Sequence, residues 1–312
     1  MRLLTACGLL AVLAACEASI NAGPTAVNSV DAAPVQLPDA TAPPVVDAAL
    51  DGAPSGAWSA PAKVPPAATS LPEDDVTMSR DTLELIFAVD PGAGTGKDLY
   101  SVTRASPTSD WTTTPTKLSF DSSTTSDESP RLSADGKTLY FASGRDSSNG
   151  TLDIFAVDRA LVGSTMTYGT PHALTDGTNS TLTDKWYMQC GTDHYVVVRN
   201  NTNGVGDLFE GTVGSAPAPI DALNTAQNET SPFITDDCLT IYFSSARVSP
   251  TRIFTATRTA IDAPWQNVAP VLDFNALGGN QEDPWLSPDG HTFAFATDVA
   301  GGANKDIYIS TR

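Results

Sequence analysis

The stretch Ser129-Pro130-Arg131-Leu132-Ser133-Ala134-Asp135-Gly136-Lys137-Thr138-Leu139-Tyr140-Phe141-Ala142-Ser143 decides how the rest of the chain is read. Asp135 can bond its own backbone and Gly136 can take the positive φ of a tight turn, so a short strand before them and a longer one after them form a hairpin. The second strand, Leu139 to Ser143, is an almost unbroken apolar run. That pattern marks a strand covered on both faces.

Four more copies follow the same plan. The last reads DPWLSPDGHTFAFAT from Asp283, and weaker versions read VTMSRDTLELIFAV from Val76, WYMQCGTDHYVVVR from Trp186 and PFITDDCLTIYFSS from Pro232. Setting Ser79, Ser133, Gln189, Thr235 and Ser287 in register gives spacings of 54, 56, 46 and 52 residues. A period near fifty built from short strands predicts the blades of a β-propeller. The second strands are Leu85 to Val89, Leu139 to Ser143, Tyr195 to Arg199, Ile241 to Ser245 and Phe293 to Thr297. Third strands open at Asp98-Leu99-Tyr100, Asp153-Ile154-Phe155, Asp207-Leu208-Phe209, Arg252-Ile253-Phe254 and Asp306-Ile307-Tyr308.

A fourth element, an aromatic residue, then Pro, then an apolar residue, follows copies one to four: Trp111 with Pro115, Tyr168 with Pro171, Pro219 with Leu223 (without the aromatic), and Trp265 with Pro270. The fifth copy lacks it, because the sequence stops at Arg312. Upstream of the first copy, Trp58-Ser59-Ala60-Pro61-Ala62-Lys63-Val64 matches the Trp111 segment and has no blade of its own. The expectation is an all-β fold: a five-bladed β-propeller over residues 58–312, with the N-terminal strand closing the last blade and removing a free sheet edge.

The Ser-Pro-Asp-Gly core with its following Asp-Ile-Tyr strand resembles the WD40-like PD40 repeats of the TolB family of periplasmic propellers over nearly all of residues 58–312. The second and fifth copies match well, and the third departs, with Gly191-Thr192 in place of Asp-Gly. The resemblance implies a propeller that makes protein contacts in the cell envelope. TolB itself carries an α/β domain ahead of its propeller, and this chain has a different segment there.

That segment has two parts. Residues 1–16 have the export layout, with Arg2 before the apolar stretch Leu3 to Ala15. Leu13-Ala14-Ala15-Cys16 resembles a bacterial lipobox, which implies that Cys16 is diacylated and becomes the N-terminus, with Glu17 after it pointing to the outer membrane. Residues 17–57 are rich in Ala, Pro, Val, Asp and Gly, with no basic residue and no aromatic ring, and read as a disordered tether. The membrane is then reached through a lipid anchor only.

The formal net charge is −19, and removal of Arg2 makes the processed chain still more acidic. Such a surface repels phosphate backbones, so nucleic acid is not expected as a partner. The three histidines, His172, His194 and His291, stand apart from any nucleophile motif, and no metal-ligand spacing occurs. Just before each inner strand stand Asp74, Glu128, Asp184 and Glu282 in one aligned position, with Glu229 displaced by one residue. Two readings follow: a ring of carboxylates at one mouth of the channel that attracts a cation such as Ca²⁺, or groups that bond the backbone of the next blade. Recurrence in every copy fits the second.

Five-bladed propellers also host glycoside hydrolases, which use paired carboxylates as acid and base. Catalysis requires those two to differ in environment, whereas repeated carboxylates look structural. Trp186, Tyr187, Phe233 and Trp285 suit either sugar stacking or packing between blades. Cys190 and Cys238, in turns of adjacent blades, can form a disulfide if their Cα atoms come within about 7 Å. The expected function is a monomeric, non-catalytic module that binds an envelope protein or a glycan, without a required cofactor. The alternative is a carbohydrate-active enzyme.

Overall fold

The computed structural model describes residues 56–92, 94–122, 124–146, 150–275, 277–299 and 304–312. Cys16 and nearly all of the acidic Ala/Pro tract lie outside the described residues. The rest forms five small antiparallel sheets, the blades of a five-bladed propeller. Their inner strands are Glu73–Met78, Asp127–Leu132, Asp184–Cys190, Glu229–Ile234 and Gln281–Leu286. Among the described residues no helix is long and apolar enough to cross a membrane.

The ring closes as the chain ends predict. Ala62–Lys63 is the outer strand of the fifth blade, pairing antiparallel with Asp306–Thr311 through Ala62↔Ile309 and Lys63↔Tyr308. Trp58 anchors the closure, its ring centroid 5.3 Å from that of Phe274 and 5.8 Å from that of Phe293, with the Arg312 guanidinium 4.3 Å from its centre.

The apolar second strands serve two blade interfaces at once, because alternate side chains of a strand point to opposite faces. In Glu84–Val89, Leu85, Phe87 and Val89 pack with Ala294, Ala296 and Ile307 of the fifth blade. Ile86 and Ala88 of the same strand pack with Leu139, Phe141, Phe155 and Val157 of the second blade. The core is therefore a set of layers between blades, and no blade has a core of its own.

The hairpin turns follow the chemistry read from Ser129 to Ser143. Asp135 Oδ1 accepts from Ser133 Oγ at 2.8 Å and from the Lys137 amide at 3.0 Å, and Gly136 has φ 68°. Thr82 and Cys238 hold the same left-handed position without glycine, at φ 60° and 61°. The third hairpin is one residue shorter, with Cys190 opposite His194 where Ser133 to Thr138 spans the second. Cys190, rather than Gln189, is accordingly the structural equivalent of Ser133. The second blade adds a feature absent from the repeat: its third strand runs on through Asp153–Val162 and folds back as Thr165–Tyr168.

In blades 1, 2 and 3 one side chain ties the third strand to the loop after it. Asn179 accepts from the Ile154 amide at 2.6 Å and donates to the Ile154 carbonyl at 3.0 Å, and Asn224 does the same at Leu208, at 2.8 and 2.9 Å. Asp121 holds this position in the first blade. It accepts from the Leu99 amide at 2.6 Å, has no donor to give, and pairs with Lys117 at 3.0 Å.

Two predictions follow from these contacts. Trp58→Ala, a half-buried aromatic at the closure, is expected to cost about 2 kcal/mol in urea unfolding. Burial pushes the Asp121 carboxyl up to about 7, so the stability it contributes is complete below its unfolded value near pH 4 and is lost as the pH rises to about 7. Asp121→Asn supplies a permanent donor and removes this titration, and should raise the melting temperature by about 2 °C at pH 8, with the gain shrinking as the pH falls toward 4.

Candidate functional site: the mouth of the central channel

Each inner strand carries a bulge two to three residues from its start, and the bulged residue is left-handed in all five: Asp75, Ser129, Trp186, Ser231 and Asp283, with φ between 50° and 59°. Such a conformation costs a non-glycine residue of order 1–2 kcal/mol, and it turns these five side chains toward the axis. Hydrogen bonds between blades hold them there. Asp283 Oδ2 accepts from the Asp75 amide at 3.0 Å and its Oδ1 from Ser231 Oγ at 2.6 Å. Asp75 Oδ1 accepts from Trp186 Nε1 at 2.8 Å, and its Oδ2 accepts from the Ser129 amide at 3.3 Å and from Lys97 Nζ at 3.1 Å.

Beneath this tier Arg131 lies across the axis, 1% exposed. Its guanidinium donates to the Val76 carbonyl at 2.9 Å, to the Pro130 carbonyl at 3.0 Å and to the Pro232 carbonyl at 3.4 Å, joining blades 1, 2 and 4. Burial lowers its pKa, while Asp283 and Asp75 draw it back up. Removing the guanidinium would leave these buried carbonyls without their donor, at a cost of about 1–3 kcal/mol for each one left unsatisfied.

Above the axial tier the residue before each bulge faces the mouth: Asp74, Glu128, Lys185, Thr230 and Glu282. Three of the five carboxylates expected in a ring, Asp74, Glu128 and Glu282, are here. Asp184 and Glu229 are not. They occupy the first position of their strands with Glu73 and Asp127, fully buried, and hold the preceding loops: Asp184 Oδ2 accepts from the Ser180 amide at 2.7 Å and Glu229 Oε2 from the Thr225 amide at 2.7 Å. Arg199 and Arg247 pair with them at 2.7 and 3.4 Å. The ring reading is corrected here for a physical reason. The shorter third hairpin shifts the inner strand by one residue against an alignment made on the second strand, which moves Asp184 into the same column as Glu229.

Lysines complete the mouth. Lys97 Nζ lies 2.7 Å from both carboxylate oxygens of Asp74 and 3.4 Å from Glu128 Oε2. Lys185 Nζ is 3.0 Å from Glu128 Oε1, and Lys305 pairs with Glu282 and stands 4.0 Å from Asp74 Oδ2. The ammonium of Lys97 thus occupies the point between carboxylates at which a bound cation was expected. Among the described residues no group of three or more His, Cys, Asp or Glu side chains is placed to hold a metal ion. Lys97 and Lys305 each stand directly before a third strand, in Lys-Asp-Leu-Tyr and Lys-Asp-Ile-Tyr. This signal was present in the sequence, in two copies of the five, and a search for features shared by every copy passes over it.

Asp74, Lys97, Lys185, Glu282 and Lys305, with the axial Asp75 and Asp283, line a recess of about 300 Å³ together with Trp186, Asn200, Asn228, Thr230 and Thr251. Burial, then the neighbouring Asp75, pushes the Asp74 carboxyl up to about 7, and burial with Asp75 pushes Asp283 up to about 6. Burial alone would raise Asp75 as well, but Lys97 and Lys185 outweigh it and hold Asp75 below the ordinary carboxylate range. Away from the mouth, the sulfurs of Cys190 and Cys238 are bonded, with Cα atoms 5.4 Å apart, joining the third and fourth blades. His172 and His291 are exposed and His194 is half-buried.

No protein-family model matches the chain, and no curated protein sequence does. Solved structures match its fold. The catalytic domain of a GH62 α-L-arabinofuranosidase from Coprinopsis cinerea superposes with a TM-score of 0.53 at 11% identity, covering 82% of this chain and 96% of that one. An endo-arabinase from Bacteroides thetaiotaomicron gives 0.51 at 12% identity, covering 80% and 96%. A putative TolB from Agrobacterium tumefaciens gives 0.48 at 16% identity, covering 77% of each chain. At these identities the likeness is one of fold.

The raised carboxyls set a pH dependence. A carboxyl whose pKa is raised by folding contributes stability that is complete below its unfolded value and is lost as the pH rises through its folded value. For Asp74 and Asp283 that window runs from about pH 4 to about pH 7. The urea midpoint is expected to fall across it, and Asp74→Asn to flatten the slope, as read by unfolding curves at half-unit steps of pH.

Proposed function

We propose that this chain is a lipid-anchored protein of the bacterial cell envelope whose propeller binds a protein or glycan partner at the channel mouth, as a monomer and without catalysis. The observation that carries the non-catalytic reading is the occupancy of the axial carboxylates. Asp75 and Asp283 are 1% and 2% exposed, and between them they accept five hydrogen bonds, four of them from other blades. A general acid or base has to reach the substrate oxygen or a water. These carboxylates are spent on holding the axis together. The anchor rests on Leu13-Ala14-Ala15-Cys16 and its place directly after the apolar stretch.

The second reading, a carbohydrate-active enzyme, draws on Asp74 and Asp283, whose pKa values of about 7 and 6 suit an acid that holds its proton near neutrality. A panel of arabinan, arabinoxylan and chromogenic glycosides separates the two. No turnover is expected, and turnover abolished by Asp283→Asn would establish the enzyme instead. For the anchor, Cys16→Ser should move the protein from the membrane fraction to the soluble fraction and abolish incorporation of labelled fatty acid. Retention of both would remove the lipid from the proposal.

A further inference from the structure

The second blade departs from the repeat at the end away from the channel mouth. In the other four blades the third strand ends level with the first residue of the second strand, as at Thr103 opposite Glu84 and Thr311 opposite Thr292. In blade 2 it passes that point at Asp158, opposite Thr138, and runs on to Val162 before turning at Gly163-Ser164 and returning as Thr165–Tyr168. Four further residues of strand carry the turn about 13 Å beyond the blade. The base of this hairpin is fixed. Arg159 is buried, pairs with Glu84 of the first blade and lies over the Tyr168 ring, which packs on Phe120 with centroids 5.0 Å apart. The tip is bare, with Leu161 and Val162 each 64% exposed. Residues 160–175 are also the longest run in the chain without Asp, Glu, Lys or Arg, in a protein of net charge −19. Charged side chains commonly guard an exposed sheet edge, and this one has none.

The chain enters the propeller at the same end. The Ser59 amide donates to the Thr311 carbonyl at 2.7 Å, and the Trp58 ring lies under the Arg312 guanidinium. Glu128 and Glu282 of the mouth stand at the opposite end of their blades. We infer that the end bearing the hairpin docks on the bilayer that holds the anchor, with Leu161 and Val162 inserted among zwitterionic lipids and the channel mouth turned away. The inference rests on the proposed lipid at Cys16. Two observations choose lipid as the occupant over a second copy of the chain. Residues 17–57 join Cys16 to the end that bears the hairpin, so the anchor holds that end close to bilayer, where a few apolar side chains suffice to seat it. An uncharged tip on an acidic body suits a surface without net charge, whereas a second copy would bring its own negative charge against the first.

The test uses the full-length, lipid-modified chain in vesicles of phosphatidylcholine and phosphatidylethanolamine. An environment-sensitive fluorophore is attached through Ser164→Cys at the tip or Asn203→Cys at the mouth end, and a nitroxide on the lipid acyl chains is the quencher. The label at position 164 should shift to the blue and be quenched about twofold or more, as for a group about 5–10 Å into the headgroup and acyl boundary, while the label at 203 is not quenched. Leu161→Asn combined with Val162→Asn should abolish the quenching while the chain still floats with the vesicles, and an unchanged melting temperature checks the fold. Flotation without quenching at 164, or equal quenching at both positions, overturns the docking and leaves the anchor standing. Loss of flotation removes the anchor and the docking together. A blue shift that appears without vesicles and grows with protein concentration would assign the hairpin edge to pairing between two copies, and overturns the inference as well.

Discussion

Where five inner strands converge on one axis, their backbone carbonyls and bulged side chains meet in a space that water enters poorly, and Arg131 answers most of that demand. Its guanidinium bonds carbonyls of three blades and lies beneath Asp75 and Asp283. The left-handed residue in every inner strand belongs to the same solution. A strained φ persists only where the surroundings over-determine it, and here the axial hydrogen bonds do so. The strain is worst at Trp186, a bulky residue in a region that favours Gly and Asp. Its indole nitrogen is committed to Asp75 on a non-adjacent blade.

Around that axis the five blades share one plan with two variants. In blades 2, 3 and 4 the buried carboxylate at the head of the inner strand has an arginine: Asp127 with Arg145, Asp184 with Arg199 and Glu229 with Arg247. Each guanidinium also covers a phenylalanine of its own blade, Phe141, Phe209 or Phe254, within 5.1 Å of the ring centre. Blades 1 and 5 have no such arginine at this position. Burial raises the pKa of Glu73, and the fifth blade has a neutral Gln281 in place of the acid. These are also the blades that carry Lys97 and Lys305. The cation has moved from the base of the blade to the mouth of the channel.

Much of this was legible in the sequence because it repeats. The hairpin chemistry of Asp135 and Gly136, the two-sided second strands and the orphan segment at Trp58 are local patterns tied to a period, and together they specify blade number and ring closure. What was not legible depended on register or on meetings across the ring. One deleted residue in the third hairpin was enough to place Asp184 in the wrong column, because side chains alternate faces along a strand and a slip of one changes what each meets. Arg131, Asp75 and Trp186 sit in weakly matching columns of the repeat, and their shared environment appears only once blades 1, 2 and 3 face a common axis.

The same reasoning bears on where activity can reside. Features repeated once per blade are required by the fold, since each blade has to meet the next in the same way. A ligand that binds in one orientation needs an environment that is not five-fold. The mouth is the place where this molecule departs furthest from its repeat: three lysines, three carboxylates and one uncharged blade, set above an axial tier that is already closed by its own hydrogen bonds. That asymmetry has two sources, the lysines that stand before the third strands of blades 1 and 5 and the uncharged Thr230 at the position where the other four blades carry a charge.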